Sequence, residues 1–359
     1  MAESLPLVEV KDLKVEFDVR DGIVHAVDGV SFTVNRGQTL GVIGESGCGK
    51  SITAKTIMQM VPRPGKITAG EILFHYRDKY DPTGDINIVN ITELDPDGQQ
   101  IRKIRGGEIG MIFQEPMSSL TPVYTAGSLI GEALHLHRLV PKKVGAQMSD
   151  AIQEYRHVTQ EEAREIAIEM LRKVGLPKPE ERVDSYPHQL SGGQRQRVMI
   201  AIALSCRPAM LIADEPTTAL DVSIEAQILD LMRDLQETVD MAIMFITHDL
   251  GVVAEMADEI VVMYMGKQVE KAEVTELYYN SLHPYTRALL KSIPKIGKRT
   301  HERLASIKGM VPDPFNLPSG CVFHPRCPEF MPGKCDRIKP SWVEAEDNHW
   351  VRCLLYEEV

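Results

Sequence analysis

The segment Gly44-Glu45-Ser46-Gly47-Cys48-Gly49-Lys50-Ser51 fits the pattern GxxxxGK[ST], following the apolar run Leu40 to Ile43 and opening a stretch compatible with a helix. Glycines at such a turn let backbone N–H groups point at an anion, and the dipole of the following helix adds positive potential. The ligand this suits is the phosphate chain of ATP. Lys50 is expected along the β- and γ-phosphates and the Ser51 hydroxyl on Mg²⁺. Gly44, Gly47 and Gly49 permit the turn, while Ser46, Cys48 and Ile52 complete the expected binding loop, Cys48 as a small filler. A second chemical signal is the apolar run Leu211-Ile212-Ala213 ending in Asp214 and Glu215. Beside a phosphate loop, Asp214 can hold Mg²⁺ through water and Glu215 can polarise an attacking water, which separates metal binding from general-base work.

Elements to carry these groups are legible in the hydrophobic pattern. Alternation in Leu7 to Val10, Leu13 to Phe17 and Val30 to Val34, with turns at Asp21-Gly22 and Arg36-Gly37, predicts a small antiparallel sheet feeding the phosphate-loop strand. Met210 to Ala213 and Met241 to Ile246 predict strands separated by a helix over Ile224 to Leu235, hence a parallel sheet. Between the phosphate loop and these strands, Ala163, Ile166, Ala167, Met170, Leu171 and Val174 recur at helical spacing. Two polar stretches, 76 to 100 and 136 to 160, read as surface insertions, with turn signals at Asp81-Pro82-Thr83-Gly84 and Asp95-Pro96-Asp97-Gly98.

The chain has 359 residues, 43% of them hydrophobic, enough for two or three domains with a sizeable core. A net charge of −11 lacks the broad basic footprint of a nucleic-acid binder. No apolar run reaches the ~20 residues that span a bilayer, and the amino terminus lacks the basic and apolar regions of a signal peptide. Any membrane role is therefore expected to use other subunits. Six cysteines in such a chain argue for a reducing compartment, where a cysteine cluster is metal-binding more often than disulfide-bonded.

The order of the remaining motifs carries a resemblance. Gln114 follows Met111-Ile112-Phe113; then come Leu190-Ser191-Gly192-Gly193-Gln194, the Asp214-Glu215 strand, Ala219-Leu220-Asp221 and Thr247-His248. From residue 8 to about 275 the chain resembles the ATP-binding subunits of ABC transporters. The fold implied is α/β: an ABC-type nucleotide-binding domain with a RecA-like parallel-sheet core, an antiparallel β subdomain and a helical signature subdomain at about 115–200. The resemblance further implies that Gln114 faces Mg²⁺ and the attacking water, and that His248 donates to the γ-phosphate and steadies Glu215. It places Phe17, rather than Tyr285, on the adenine. Ser191, Gly193 and Gln194 form a second anion site that closes over the nucleotide of an opposite subunit, with Asp221 communicating across the interface.

Beyond about residue 281 the composition changes, with nine prolines from Pro284 to Pro340 and four cysteines between 321 and 353. Leu282-His283-Pro284-Tyr285-Thr286, Ile307 to Pro312 and Gly320-Cys321-Val322-Phe323-His324-Pro325-Arg326-Cys327-Pro328 resemble the D-type ATPases of oligopeptide/dipeptide importers. One departure is Lys271-Ala272-Glu273, where that family usually has a glycine. The domain expectation is thus a cassette over 1–280 and a carboxy-terminal extension over 281–359. Short of apolar core, that extension is expected to gather Cys321, Cys327, Cys335 and Cys353 on one metal centre. A [4Fe–4S] cluster is what the resemblance implies, with Zn²⁺ or unmetallated thiols as alternatives. The partners implied are a second, distinct ABC ATPase subunit in a heterodimer, two transmembrane permeases and an extracytoplasmic substrate-binding protein, at the cytoplasmic face of the membrane. Oligosaccharide or nickel import and a soluble non-transport ATPase stay open as alternatives.

Overall fold

The computed structural model describes residues 5–76, 86–114, 120–137, 139–141, 155–217, 220–292 and 307–357. Four strands, β1 (Val8–Val19), β2 (Gly22–Val34), β4 (Gly65–Tyr76) and β5 (Asn87–Asn90), form an antiparallel sheet in the order β2-β1-β4-β5. In β1, Val8 and Val10 and, after a shift of register, Leu13 and Val15 are buried, each pair at the two-residue period of a strand. Strand β5 corrects the reading of 76–100 as a surface insertion. It pairs with β4, and Ile91 just beyond it is completely buried; Val89 and Ile91 are apolar residues that the surrounding polar ones masked in the pattern. Asp95-Pro96-Asp97-Gly98 does turn, with the Asp97 N–H donating to Asp95 Oδ1 at 3.0 Å. The other turn signal, 81–84, and most of 136–160 lie outside the described residues, but two short strands at the ends of the latter, β7 (Leu139–Pro141) and β8 (Tyr155–His157), pair antiparallel as a separate ribbon.

The large sheet has the order β13-β14-β12-β11-β3-β10-β9-β6. Its parallel centre is β3 (Thr39–Ile43), β6 (Ile109–Ile112), β9 (Met210–Asp214), β10 (Ala242–Ile246) and β11 (Glu259–Tyr264). The first four are buried at every position, the continuous apolar runs expected of strands covered on both faces. Helix Gln160–Lys173 begins at a capping box in which Thr159 and Glu162 satisfy each other's backbone N–H groups. It packs with helices Ala126–His137 and Gly192–Ser205 on a core distinct from that of the antiparallel sheet.

The carboxy-terminal residues do not stand apart from this sheet. Strand β12 (Lys267–Glu273) pairs with β14 (His349–Val351), which pairs with β13 (Val343–Glu346). At Ala272, where a glycine was the usual residue, β12 continues with the methyl fully buried. The Glu270 carboxylate, with no solvent exposure, accepts the N–H groups of Leu282 and His283 at 2.6 and 3.0 Å and contacts His349 Nε2 at 2.8 Å. One buried acid therefore ties the sheet to two later segments. Phe323 of the extension packs against Tyr264 and Tyr285 with ring centroids 5.3 and 5.4 Å away. This aromatic plug and the added strands supply the apolar core that the proline-rich composition gave no sign of.

His283 caps helix Pro284–Lys291, its Nδ1 accepting the Tyr285 N–H at 3.0 Å. Burial pushes its pKa down to about 4. The unfolded imidazole takes a proton near pH 6.5 and the folded one resists until about 4, so its contribution is complete above pH 6.5 and declines as pH falls through that window. Denaturant unfolding at pH 7 and pH 5 is expected to show wild type losing more stability than His283→Asn, at up to ~1.4 kcal/mol per pH unit. Equal losses in the two proteins would remove His283 as the titrating group.

Candidate nucleotide site

The phosphate-loop sequence folds as a left-handed turn between β3 and helix Lys50–Ile57. Gly44, Gly47 and Gly49 have φ of 151°, 79° and 105°. A Cβ on Gly44 would meet Met263 O at 2.2 Å, and one on Gly49 would meet Ala26 O at 2.3 Å. Glycine is required there by both conformation and space. Cys48 lies beneath the turn, 2% exposed, and burial pushes its thiol up. Lys50 Nζ donates to Gly44 O at 2.7 Å and Glu45 O at 3.1 Å.

Ser46, Gly47, Gly49, Lys50, Ser51, Ile52, Gln114 and Glu215 line one hollow of about 210 Å³. Residues as distant in sequence as Ser46 and Glu215 are thus brought together by β3, β6 and β9 ending on the same side. Ser51 Oγ donates to Asp214 Oδ1 at 3.0 Å. Asp214 is 2% exposed, and its carboxyl is held above the usual carboxylate range mainly by burial, with Glu215 adding to the effect. A buried carboxylate beside a hydroxyl is a hard-oxygen pair suited to Mg²⁺. Glu215 sits at φ 51°, a left-handed conformation uncommon for a side-chain-bearing residue, with its N–H donating to Ile246 O at 2.8 Å. His248 Nδ1 approaches Glu215 Oε1 at 3.4 Å from an exposed position.

The other expected residues lie elsewhere. The Phe17 ring packs beside Gly65 and Val61 and does not line the hollow. Ser191 caps helix Gly192–Ser205: its Oγ accepts the Gln194 N–H, and Gln194 Oε1 accepts the Ser191 N–H at 3.0 Å. Ser191, Gly193, Gln194 and Asp221 share a separate hollow of about 410 Å³ that has no residue in common with the one around Lys50. Ala219 is outside the described residues. Sequence reasoning missed Val24, His25, Met265, Pro314 and Leu317, all of which line the Lys50 hollow. Nothing in their types marks them; they arrive through β2, the β11–β12 turn and the extension.

The four cysteines do not form a single-ion centre. Among the described residues the only group of three or more histidine, cysteine or carboxylate donors within 4.8 Å of one another is Glu276, Glu346 and His349. Burial, with the neighbouring cysteines adding to it, raises the thiol of Cys321, that of Cys327 to about 11 and that of Cys353 to about 12.

Residues 27–218 match the ABC transporter family, and residues 269–335 match the carboxy-terminal region of oligopeptide/dipeptide transporters. The chain belongs to the ABC transporter family. It is 48% identical to the oligopeptide transport ATP-binding protein AppD of Bacillus subtilis, over 98% of this chain and 97% of that one. With the dipeptide transport ATP-binding protein DppD of the same organism the identity is 43%, over 98% and 95%. Among solved structures, a dimeric ATP-binding cassette in a post-hydrolysis state, bound to ADP and Pi, superposes with a TM-score of 0.58 at 28% identity, covering 74% of this chain and 98% of that one. The expected α/β cassette fold is therefore correct. The iron–sulfur expectation is not: these relatives are described by ATP binding and peptide transport alone, and sheet pairing and the aromatic plug already join the extension to the cassette.

Gly49→Ala is expected to abolish nucleotide binding while removing no polar atom, because its methyl and the Ala26 carbonyl need the same space. Gly192→Ala, with nothing within 4 Å of the added carbon, should bind normally. Titration with a fluorescent ATP analogue distinguishes them, and equal affinities would show that the turn tolerates the methyl.

Proposed function

We propose that this chain is the ATP-hydrolysing subunit of a peptide importer, and the observation that carries the reading is the single hollow in which Lys50, Ser51, Gln114 and Glu215 converge. ATP is the substrate. Backbone N–H groups of the Gly44–Ser51 turn and the Lys50 ammonium bind its β- and γ-phosphates. Ser51 and Asp214 would hold Mg²⁺, with Gln114 facing it; when bound, the ion neutralises charge on the phosphates and leaving group. Glu215 takes the proton of the attacking water, and His248, close to its carboxylate, orients it and faces the γ-phosphate. Adenine rests near β2, whose Val24, His25 and Ala26 line the hollow.

Ser191, Gly193 and Gln194 act in trans. Their hollow shares no residue with that of Lys50, so a second subunit arranged head to tail would bring one chain's signature onto the other's nucleotide, with Asp221 at the seam. The dimeric cassette holding ADP and Pi supports this assembly. We further propose a distinct ATPase as the second subunit, two permeases and an extracytoplasmic binding protein, with the complex at the cytoplasmic face of the membrane. No helix among the described residues is long and apolar enough to cross a bilayer, and the oligopeptide and dipeptide transport names of the relatives favour peptides as cargo.

Glu215→Gln keeps the side chain's shape and removes the base, so ATP binding should persist while steady-state turnover in the assembled transporter falls by roughly 10²–10⁴-fold. Near-normal turnover would sink the assignment. Ser191→Arg should leave ATP affinity of the isolated chain intact and block nucleotide-driven dimerisation with the second ATPase, read by size-exclusion chromatography of the two chains mixed, with Glu215→Gln as the background. Dimers that form as before would rule out the composite site.

A further inference from the structure

Two motifs of the extension have no part in the chemistry above: Tyr285 of the His-Pro-Tyr-Thr element and Arg326 of the His-Pro-Arg-Cys element. Both end on Glu45, the second residue of the phosphate loop. The Glu45 N–H donates to Tyr285 Oη at 2.8 Å. Its carboxylate receives both arms of the Arg326 guanidinium, Nη1 to Oε2 at 2.6 Å and Nη2 to Oε1 at 3.0 Å. The Glu45 carbonyl is one of the two oxygens that hold Lys50 Nζ. Every polar group of Glu45 is thus engaged, two by the extension and one by the phosphate-binding lysine.

We propose that the carboxy-terminal extension is a positioning element of the nucleotide site, with Arg326 and Tyr285 fixing the phosphate loop through Glu45. The inference rests on the ATP-binding reading of that loop. Arg326 is itself firmly held. Its side chain is 4% exposed, Nε donates to Lys308 O at 3.3 Å, and Nη1 also reaches Tyr264 Oη at 3.3 Å. Tyr285 is locked by the rings of Tyr264 and Phe323. A buried ion pair contributes little net stability after desolvation, whereas a bidentate pair fixes geometry in two directions. Its value here is to hold Glu45, and with it Lys50, where the β- and γ-phosphates must lie. Pro314 and Leu317 of the same extension also wall the hollow. Because binding couplings are reciprocal, nucleotide should in turn steady the extension.

The test uses the full chain and an ATP analogue, with thermal melts in the absence of nucleotide as a folding control. Arg326→Gln and Tyr285→Phe should each weaken affinity about tenfold, with Arg326→Lys intermediate because an ammonium cannot bridge both oxygens. Glu45→Gln combined with Arg326→Gln should be no weaker than Arg326→Gln alone. In wild type, nucleotide should slow hydrogen exchange at the amides of Cys321 to Cys327, an effect lost in Arg326→Gln. If Arg326→Gln does not fold, Tyr285→Phe, which removes one hydroxyl, decides by the same two measurements. Unchanged affinity together with unchanged exchange in folded Tyr285→Phe, or additive losses in the double variant, overturns the coupling. Lys50→Ala separates the two readings: if it loses ATP while Tyr285→Phe does not, only the coupling fails; if Lys50→Ala binds ATP normally, the phosphate-loop reading itself fails.

Discussion

The constraint on which this structure turns is the reversal of chain direction at the end of β3. Three glycines in left-handed conformations bring backbone N–H groups to one side, and two of them abut carbonyl oxygens so closely that no other residue fits. A turn of that kind has little intrinsic rigidity, since glycine is the most conformationally free residue. Its shape is imposed from outside, by Met263 and Ala26 beneath it, by Lys50 across it and by Tyr285 and Arg326 behind it.

The parallel centre of the large sheet converts this local shape into a site. Strands β3, β6 and β9 end at one level, so the phosphate turn, Gln114 and the Asp214-Glu215 pair meet around a common hollow. Asp214, almost wholly buried, is raised towards neutrality by desolvation, which the hydrogen bond from the Ser51 hydroxyl opposes; a cation there would offset the penalty further. Glu215 accepts a strained backbone to place its carboxylate at the rim, where His248 reaches it. The signature residues, by contrast, are engaged locally in a helix cap and open onto a different hollow, which is the geometry a site completed by another subunit would need.

The extension shows how composition can mislead. Many prolines and few apolar residues suggested a weak core in need of a metal, yet its apolar residues are concentrated at a few contacts: Phe323 in an aromatic nest, Val351 in the sheet, and the buried Glu270 joining three backbone segments. Its cysteines are buried or half-buried thiols within that packing.

The order and spacing of the motifs, the alternation in β1 and the unbroken apolar runs of β3, β9 and β10 were sufficient, in the sequence alone, to establish a phosphate-binding α/β cassette, because a glycine turn, a period-two strand and a buried strand are each encoded by neighbouring residues. Lys50, Ser51, Gln114 and Glu215 of the hollow were readable for the same reason, since each follows a recognisable strand, whereas Val24, His25, Met265, Pro314 and Leu317 of its wall carry no such signal. Tertiary structure alone decided that Val89 and Ile91 belong to the core, that Phe17 packs beside Gly65, that the extension shares the main sheet and that Arg326 reaches Glu45 across 281 positions of sequence. Such contacts depend on how separate elements are brought together, and no local pattern of side chains records which distant partner a buried charge will meet.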